Sequence, residues 1–308
     1  MSANDHGPQG ADHVEIVEVG PRDGLQNESA VVSVDDRIRL IDRAVAAGVR
    51  RIEAVSFVNP KRVPQMAGAE EIMAGVRREP GVSHIGLVLN RRGLERAMAA
   101  GVSEVNVAVP ATDGFCTRNQ GCTVDEMLDA LADIDAELQG TGVPLSVTVS
   151  TAFGCPFDGE VPAGQVVQVV NRITGTSAVE IALADTIGVG VPREVSELLR
   201  AVGAVADDRT LRCHFHNTRN TGYANAMAAV EAGVRVLDSS LGGFGGCPFA
   251  PAATGNIATE DLLYMLHRSG MHTGVSLSGA AELGAWMGEL LDKRPPAYLG
   301  RAGGFPTT

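Results

Sequence analysis

The chain has 308 residues and a mass of 32.0 kDa, enough for one large domain or two small ones and for a sizeable core that needs no disulfide or structural metal. Its 44% apolar and 20% charged residues are ordinary for a globular protein. A net charge of −12 argues against nucleic acid as a general partner but leaves room for a phosphorylated small molecule, which needs only a local basic patch.

Residues 1–12 are polar and are expected to form a disordered or extended tail. They have neither the apolar core of a secretion signal nor the Arg-rich, acid-poor pattern of a transit peptide. No run of about 18 apolar residues occurs, so neither a membrane span nor a membrane partner is expected. The end, Phe305-Pro306-Thr307-Thr308, carries no peroxisomal address, and the expected location is cytoplasmic. The five cysteines, Cys116, Cys122, Cys155, Cys213 and Cys247, are odd in number and unlike a disulfide framework or zinc ribbon in spacing, which fits reduced thiols.

From residue 13 onward, short β-branched runs alternate with longer amphipathic segments. Predicted strands are Val14–Val19, Arg51–Val55, His84–Leu89, Glu104–Val109, Leu145–Ser150, Ala178–Leu183, Leu211–His216 and Val234–Ser239. Predicted helices are Asp35–Ala47, Ala67–Arg78, Arg91–Ala100, Val124–Gln139, Pro162–Thr174, Pro192–Val205 and Ala224–Ala232, with Met271–Ala297 adding helices after the last strand. Ala-Gly-Val recurs at 47–49, 100–102 and 232–234, each time at a helix-to-strand turn. Eight such units imply parallel strands and a (β/α)8 TIM barrel over residues 13–295, with extra C-terminal helices and a tail at 296–308. An open doubly wound sheet is the weaker alternative, because no glycine-rich dinucleotide turn follows the first strand.

Barrel active sites lie at the C-terminal ends of the strands. Arg22 and Asp23 follow strand one, and Glu18, Gln26 and Glu28 crowd the same place, a density of charge that calls for partners or a ligand. His214 and His216 are two apart at the end of strand seven, so they share a face. Asn256 and Glu260 lie beyond strand eight, which neighbours strands one and seven once the barrel closes. A carboxylate, two imidazoles and a carboxamide suit a hard divalent cation, Mg²⁺ or Mn²⁺ rather than structural zinc. Gly242-Gly-Phe-Gly-Gly-Cys247-Pro248 reads as a flexible loop able to close over a ligand while carrying a thiol for proton transfer. Lys61, Arg62, Arg91, Arg92 and Arg118, in or near loops after strands two to four, are candidates for phosphate contacts.

Several segments together resemble the 3-hydroxy-3-methylglutaryl-CoA lyase family, from about Val14 to Val275. They are Glu18-Val-Gly-Pro-Arg-Asp-Gly-Leu-Gln-Asn-Glu28, Ser56-Phe57-Val58 with Pro64-Gln65-Met66, Phe153-Gly154-Cys155-Pro156-Phe157, Asp185-Thr-Ile-Gly-Val-Gly190, and Gly242 through Asn256 to Asp261. The resemblance implies cleavage of 3-hydroxy-3-methylglutaryl-CoA, or a close 3-hydroxyacyl-CoA, to acetyl-CoA and acetoacetate or the matching keto acid. It implies metal ligation by Asp23, His214, His216 and Asn256, a catalytic Cys247, and a substrate-contacting Arg22. It also implies supporting roles for Gln26, Glu53, Asp185 and Glu260, and a homodimer. The initial base is open among Asp23, Asp185, His214 and Glu260. A condensing acyltransferase of the isopropylmalate synthase type, acting on acetyl-CoA and a 2-oxo acid, shares the Arg-Asp and His-x-His motifs but not the cysteine loop. Asn217-Thr218-Arg219 departs from the family pattern beside the expected metal and bears on the identity of the acyl group.

Overall fold

A computed structural model describes residues 12–246 and 255–306. Its strands are β1 (Glu15–Glu18), β2 (Arg51–Ser56), β3 (Ser83–Val88), β4 (Glu104–Pro110), β5 (Leu145–Ser150), β6 (Glu180–Asp185), β7 (Thr210–Phe215) and β8 (Val236–Ser239), all parallel and in barrel order. The barrel closes where β1 meets β8, with Glu15 opposite Val236 and Glu18 opposite Ser239. Between the strands run α1 (Val34–Ala46), α2 (Ala69–Gly75), α3 (Arg91–Ala99), α4 (Asp113–Asn119), α5 (Val124–Leu138), α6 (Ala163–Ile173), α7 (Pro192–Gly203) and α8 (Gly222–Glu231). After β8 come α9 (Thr259–Arg268), α10 (Leu277–Leu291) and the short α11 (Leu299–Ala302).

The eight strands predicted from short β-branched runs are present, with ends shifted by a residue or two. The Ala-Gly-Val turns are helix C-termini in which glycine takes a positive φ, at Gly48 (106°), Gly101 (71°) and Gly233 (101°). At Gly48 a Cβ would also sit 2.2 Å from the Gly274 carbonyl oxygen, so no other residue fits. Helices α4 and α9 have no counterpart among the predicted elements. Leu262, Leu263 and Leu266 of α9 are fully buried, and their spacing is that of an inward helix face. The segment from 296, expected as a tail, instead runs across α9: Tyr298 and Leu299 donate backbone N–H bonds to Asp261, and Ala297 donates to the Gly242 carbonyl.

The main hydrophobic core is the layer between strands and helices, from Ile16 and Ile52 to Leu40, Ile41, Val170 and Leu198. A smaller apolar cluster of Val17, Val19, Ile85 and Val236 stands apart from it. Charged groups fill the floor of the lumen. Arg51 enters from β2 and reaches Glu180 at 2.9 Å, Glu104 at 2.8 Å and Glu15 at 3.0 Å, groups contributed by β6, β4 and β1. Above it Arg212 of β7 also pairs with Glu180, at 3.2 Å. Strand β2 has a register irregularity between Glu53 and Val55, a local kink at the level where the lumen turns from structural to functional.

Removing one partner of a buried ionic cluster leaves the others uncompensated. Arg51→Met, which leaves three carboxylates facing one another, should cost roughly 3–5 kcal/mol of unfolding free energy, read as a lower urea midpoint. A midpoint equal to that of the parent protein would show that the floor network carries no stability.

Candidate metal and active site

Immediately after β1 the chain makes a five-residue π-type turn over Gly20–Gly24, with the Gly24 N–H bonded to the Val19 carbonyl at 3.1 Å. Such turns are rare and favour functional positions. Here the turn sets Arg22 and Asp23 side by side over the mouth of the barrel. His214 is the last residue but one of β7 and His216 lies just beyond it. Residue 216 forms an antiparallel bridge with Asn256, flanked by Asn217 N–H to Gly255 O (2.9 Å) and Ile257 N–H to Phe215 O (3.1 Å). The strand therefore delivers the histidines, and the returning chain delivers Asn256 to the same spot.

Donor atoms of Asp23, His214 and His216 lie within 4.8 Å of one another. Asn256 joins them through its Nδ2, which donates to Asp23 Oδ2 at 2.8 Å and to the Phe244 carbonyl at 3.0 Å. Its Oδ1 is buried without a protein partner. His214 places Nδ1 3.1 Å from Asp238 Oδ2, which frees Nε2, and His216 Nε2 lies 3.9 Å from Asp23 Oδ2. One carboxylate, two imidazole nitrogens and an unpaired carboxamide oxygen are a mixed N/O donor set that fits a divalent cation.

The electrostatics agree. Burial alone would push the Asp23 carboxyl up, but the Arg22 guanidinium and then the two imidazoles outweigh it and hold it at about 2. Burial, with the neighbouring His214, drives His216 down to about 3, so this ring is neutral and its lone pair is available at neutral pH. His214 is pushed the other way: burial would lower it, but the Asp238 carboxylate raises it. A cation held there would have to displace any proton on the ring.

Arg22 is fixed from two sides. Its Nε donates to Glu53 Oε2 at 2.7 Å and its Nη1 to Asp23 Oδ1 at 2.7 Å. Glu53 accepts in turn from Asn106 Nδ2 at 3.1 Å, and Asn106 from Thr148 Oγ1 at 3.1 Å. A cavity of about 1220 Å³ opens over this assembly, with Arg22, Asp23, Gln26, Glu53, His214 and His216 in its wall. Part of the remaining wall is short or apolar side chains from β3 to β6, among them Leu87, Ala108, Ser150 and Ala184, interspersed with polar ones such as Asn106 and Thr148.

Not every expected residue faces this cavity. Asp185 turns its carboxylate to the backbone N–H groups of Val189 (2.9 Å) and Gly190 (3.0 Å), tying down the loop after β6, and burial raises its pKa. Glu260 sits in the first turn of α9, accepts from the Gly242 N–H at 3.0 Å, and lines a separate cavity of about 460 Å³ beside α10. Burial pushes it up to about 8. Glu18, which accepts from Gly20 N–H, Leu241 N–H and Thr259 Oγ1, is pushed by burial to about 7. These two acids anchor the start of the glycine loop at Leu241 and Gly242. Cys247 lies outside the described residues. Lys61, Arg62 and Arg92 line the cavity mouth, whereas Arg91 pairs with Glu137 and Arg118 lies over the Phe157 ring. Arg219, expected beside the metal, points away and donates to the carbonyls of Ile187 and Gly188. Asp238, Arg212, Asn106 and Thr148 were not among the expected groups. As single polar residues inside strands they carry no motif, although a charge on the inward register of a barrel strand is itself a signal.

Fold and site together define a TIM-barrel enzyme with a carboxylate–bis-imidazole cluster that could hold a cation at the C-terminal ends of its strands. Residues 13–286 match the family described as HMGL-like, and the chain belongs to that family. It is 41% identical over 289 residues to the mitochondrial hydroxymethylglutaryl-CoA lyase of Mus musculus, covering 94% of this chain and 89% of that one. It is 43% identical over 300 residues to the (R)-citramalyl-CoA lyase of Chloroflexus aurantiacus, covering 94% and 95%. The solved structure of a hydroxymethylglutaryl-CoA lyase from Pseudomonas aeruginosa superposes with a TM-score of 0.91 at 40% identity, covering 94% of this chain and 97% of that one. The protein is thus a lyase of the hydroxymethylglutaryl-CoA lyase type. No helix among the described residues is long and apolar enough to cross a membrane.

Two outcomes follow from this geometry. Glu18 and Glu260 hold protons in the folded state at pH values where the unfolded chain has lost them. Their stabilisation is complete below about pH 4.5 and is lost as pH rises through about 7 and 8. Unfolding free energy should therefore fall between pH 5 and pH 9, and Glu260→Gln should flatten that slope; a variant with an unchanged slope would remove Glu260 from the account. Separately, Gly245 has φ 106°, and a Cβ there would lie 2.5 Å from Asn256 Nδ2 and 2.8 Å from the Asp23 carbonyl. Gly245→Ala should cost about 1–3 kcal/mol and weaken Mn²⁺ binding in a calorimetric titration.

Proposed function

We propose that this protein uses a divalent cation, Mg²⁺ or Mn²⁺, to cleave 3-hydroxy-3-methylglutaryl-CoA, or a close thioester carrying a tertiary 3-hydroxyl, to acetyl-CoA and acetoacetate or the matching oxo acid. The observation that carries this reading is the convergence of Asp23, His214, His216 and Asn256 next to an Arg22 locked by Glu53. A bound divalent ion supplies Lewis acidity toward the substrate hydroxyl and an acyl oxygen. Loss of the hydroxyl proton lets the alkoxide collapse to a ketone while the C2–C3 bond breaks, leaving the enolate of the acetyl thioester.

Arg22 is held rigid before substrate arrives and meets the charge that develops on the enolate oxygen, which is where preorganised donors lower a barrier most. Of the four candidate bases, Asp23 and His214 face the cavity, whereas Asp185 and Glu260 are occupied with backbone amides. Cys247, on the glycine loop, donates the proton that completes acetyl-CoA, a role resting on the family resemblance. Lys61, Arg62 and Arg92 at the mouth are placed to meet the phosphates of CoA.

The substrate class draws support from the relatives, one of which is named for citramalyl-CoA, a thioester that also carries a methyl and a hydroxyl on one carbon. The test is turnover of 3-hydroxy-3-methylglutaryl-CoA and citramalyl-CoA before and after chelation. Activity should vanish with chelator and return with Mg²⁺ or Mn²⁺. Arg22→Gln should lower kcat by about 10²–10³-fold in a protein whose circular dichroism spectrum is that of the parent. Cleavage insensitive to chelator would overturn the reading.

A further inference from the structure

Asp238 of β8 touches a candidate ligand without being one of the expected ligands, and it is 5% exposed. Its two oxygens divide their work: Oδ2 lies 3.1 Å from His214 Nδ1, and Oδ1 lies 3.5 Å from Arg212 Nε. An ionised carboxylate can only accept, so the proton of the neutral His214 ring must sit on Nδ1, which leaves the lone pair on Nε2. Arg212 cannot drift, because it is also paired with Glu180 at 3.2 Å and donates to Thr148 Oγ1 at 3.3 Å. His216 has no such support: its Nδ1 is buried without a partner, and the residue is held instead through its backbone bridge to Asn256.

Resting on the metal reading above, we propose that Asp238 is a positioning residue for the lyase reaction, fixing the tautomer and ring orientation of His214 so that Nε2 is presented to the cation, with Arg212 as the brace that aims the carboxylate. A ligand histidine oriented by a carboxylate binds more tightly because the correct tautomer and rotamer are already selected. A purely structural role is the competing account, in which Asp238 merely neutralises Arg212. The two differ in a measurable way, because Arg212 keeps Glu180 as a second counter-ion.

The experiment uses the full chain, stripped of metal and titrated with Mn²⁺ by calorimetry, in four forms: wild type, Asp238→Ala, Arg212→Met, and the double variant. Removing Arg212 together with Asp238 leaves no orphaned buried charge, so the double variant tests metal binding in a folded protein even if Asp238→Ala alone is unstable. Mn²⁺ affinity should fall about 10–100-fold in the double variant and clearly less in Arg212→Met. Long-range ¹H–¹⁵N spectra of the metal-free wild type, recorded at a pH high enough for the ring to be neutral, should show His214 as the Nδ1–H form, and that preference should disappear in the double variant. Wild-type Mn²⁺ affinity in the double variant, or an Nε2–H form of His214 in the wild type, would overturn the proposal. If the wild type itself failed to bind Mn²⁺, the metal reading would fall, while the tautomer spectra would still decide whether Asp238 orients the ring.

Discussion

The rest of this structure depends on a single constraint: charge buried inside a closed barrel must be answered there. Arg51 enters the floor of the lumen and draws carboxylates from three other strands onto itself. Glu180 passes the connection to Arg212, and Arg212 passes it to Asp238 and Thr148. From Thr148 it continues through Asn106 and Glu53 to Arg22 and Asp23 at the mouth. The groups are linked one to the next by hydrogen bonds or ion pairs, so the site at the top is braced from below. Low dielectric makes such a network costly when incomplete and rigid when complete.

The balance of that network also bears on what binds at its upper end. Three guanidinium groups, those of Arg22, Arg51 and Arg212, meet six carboxylates, those of Glu15, Asp23, Glu53, Glu104, Glu180 and Asp238. The surplus of negative charge lies in a lumen closed by helices, where it favours a cation next to Asp23 and the two imidazoles. The resistance of Asp23 to protonation and the neutral state of His216 are local expressions of the same field.

Much of the architecture was legible in the chain because parallel strands in a covered barrel are continuous apolar runs, and because the Ala-Gly-Val turns recur. Helix α4 was not legible: Asp113–Asn119 is short and follows β4 without an apolar stripe. That Asp23, His214 and His216 would cluster was legible because Arg-Asp follows one strand and His-x-His ends another, and strands one and seven both end at the barrel mouth. Asp185 and Glu260 show the limit of that logic. A carboxylate in a glycine-rich loop has two equally good occupations, a ligand or the loop's own backbone amides, and only the fold chooses. Arg219 shows the same limit for a cation, since two carbonyls of the loop after β6 claim it.

The cavity wall combines two kinds of side chain. The candidate cation ligands follow β1, sit at the end of β7 and lie beyond β8, and their braces reach around the ring to Asn106 on β4, Thr148 on β5 and Glu180 on β6, whereas Leu87, Ala108, Ser150 and Ala184 of the same wall contribute no side chain to those bonds. Bracing and shaping residues therefore alternate along the same strands, Asn106 two residues from Ala108 on β4 and Thr148 two residues from Ser150 on β5. Substitutions at the shaping positions can redraw which acyl branch fits while the bracing bonds stay intact. That interleaving gives a lineage of such barrels a narrow route to new thioesters: a side chain lengthened or shortened at Ala108 or Ser150 changes the diet of the enzyme, while Asn106 and Thr148 beside them must keep their bonds.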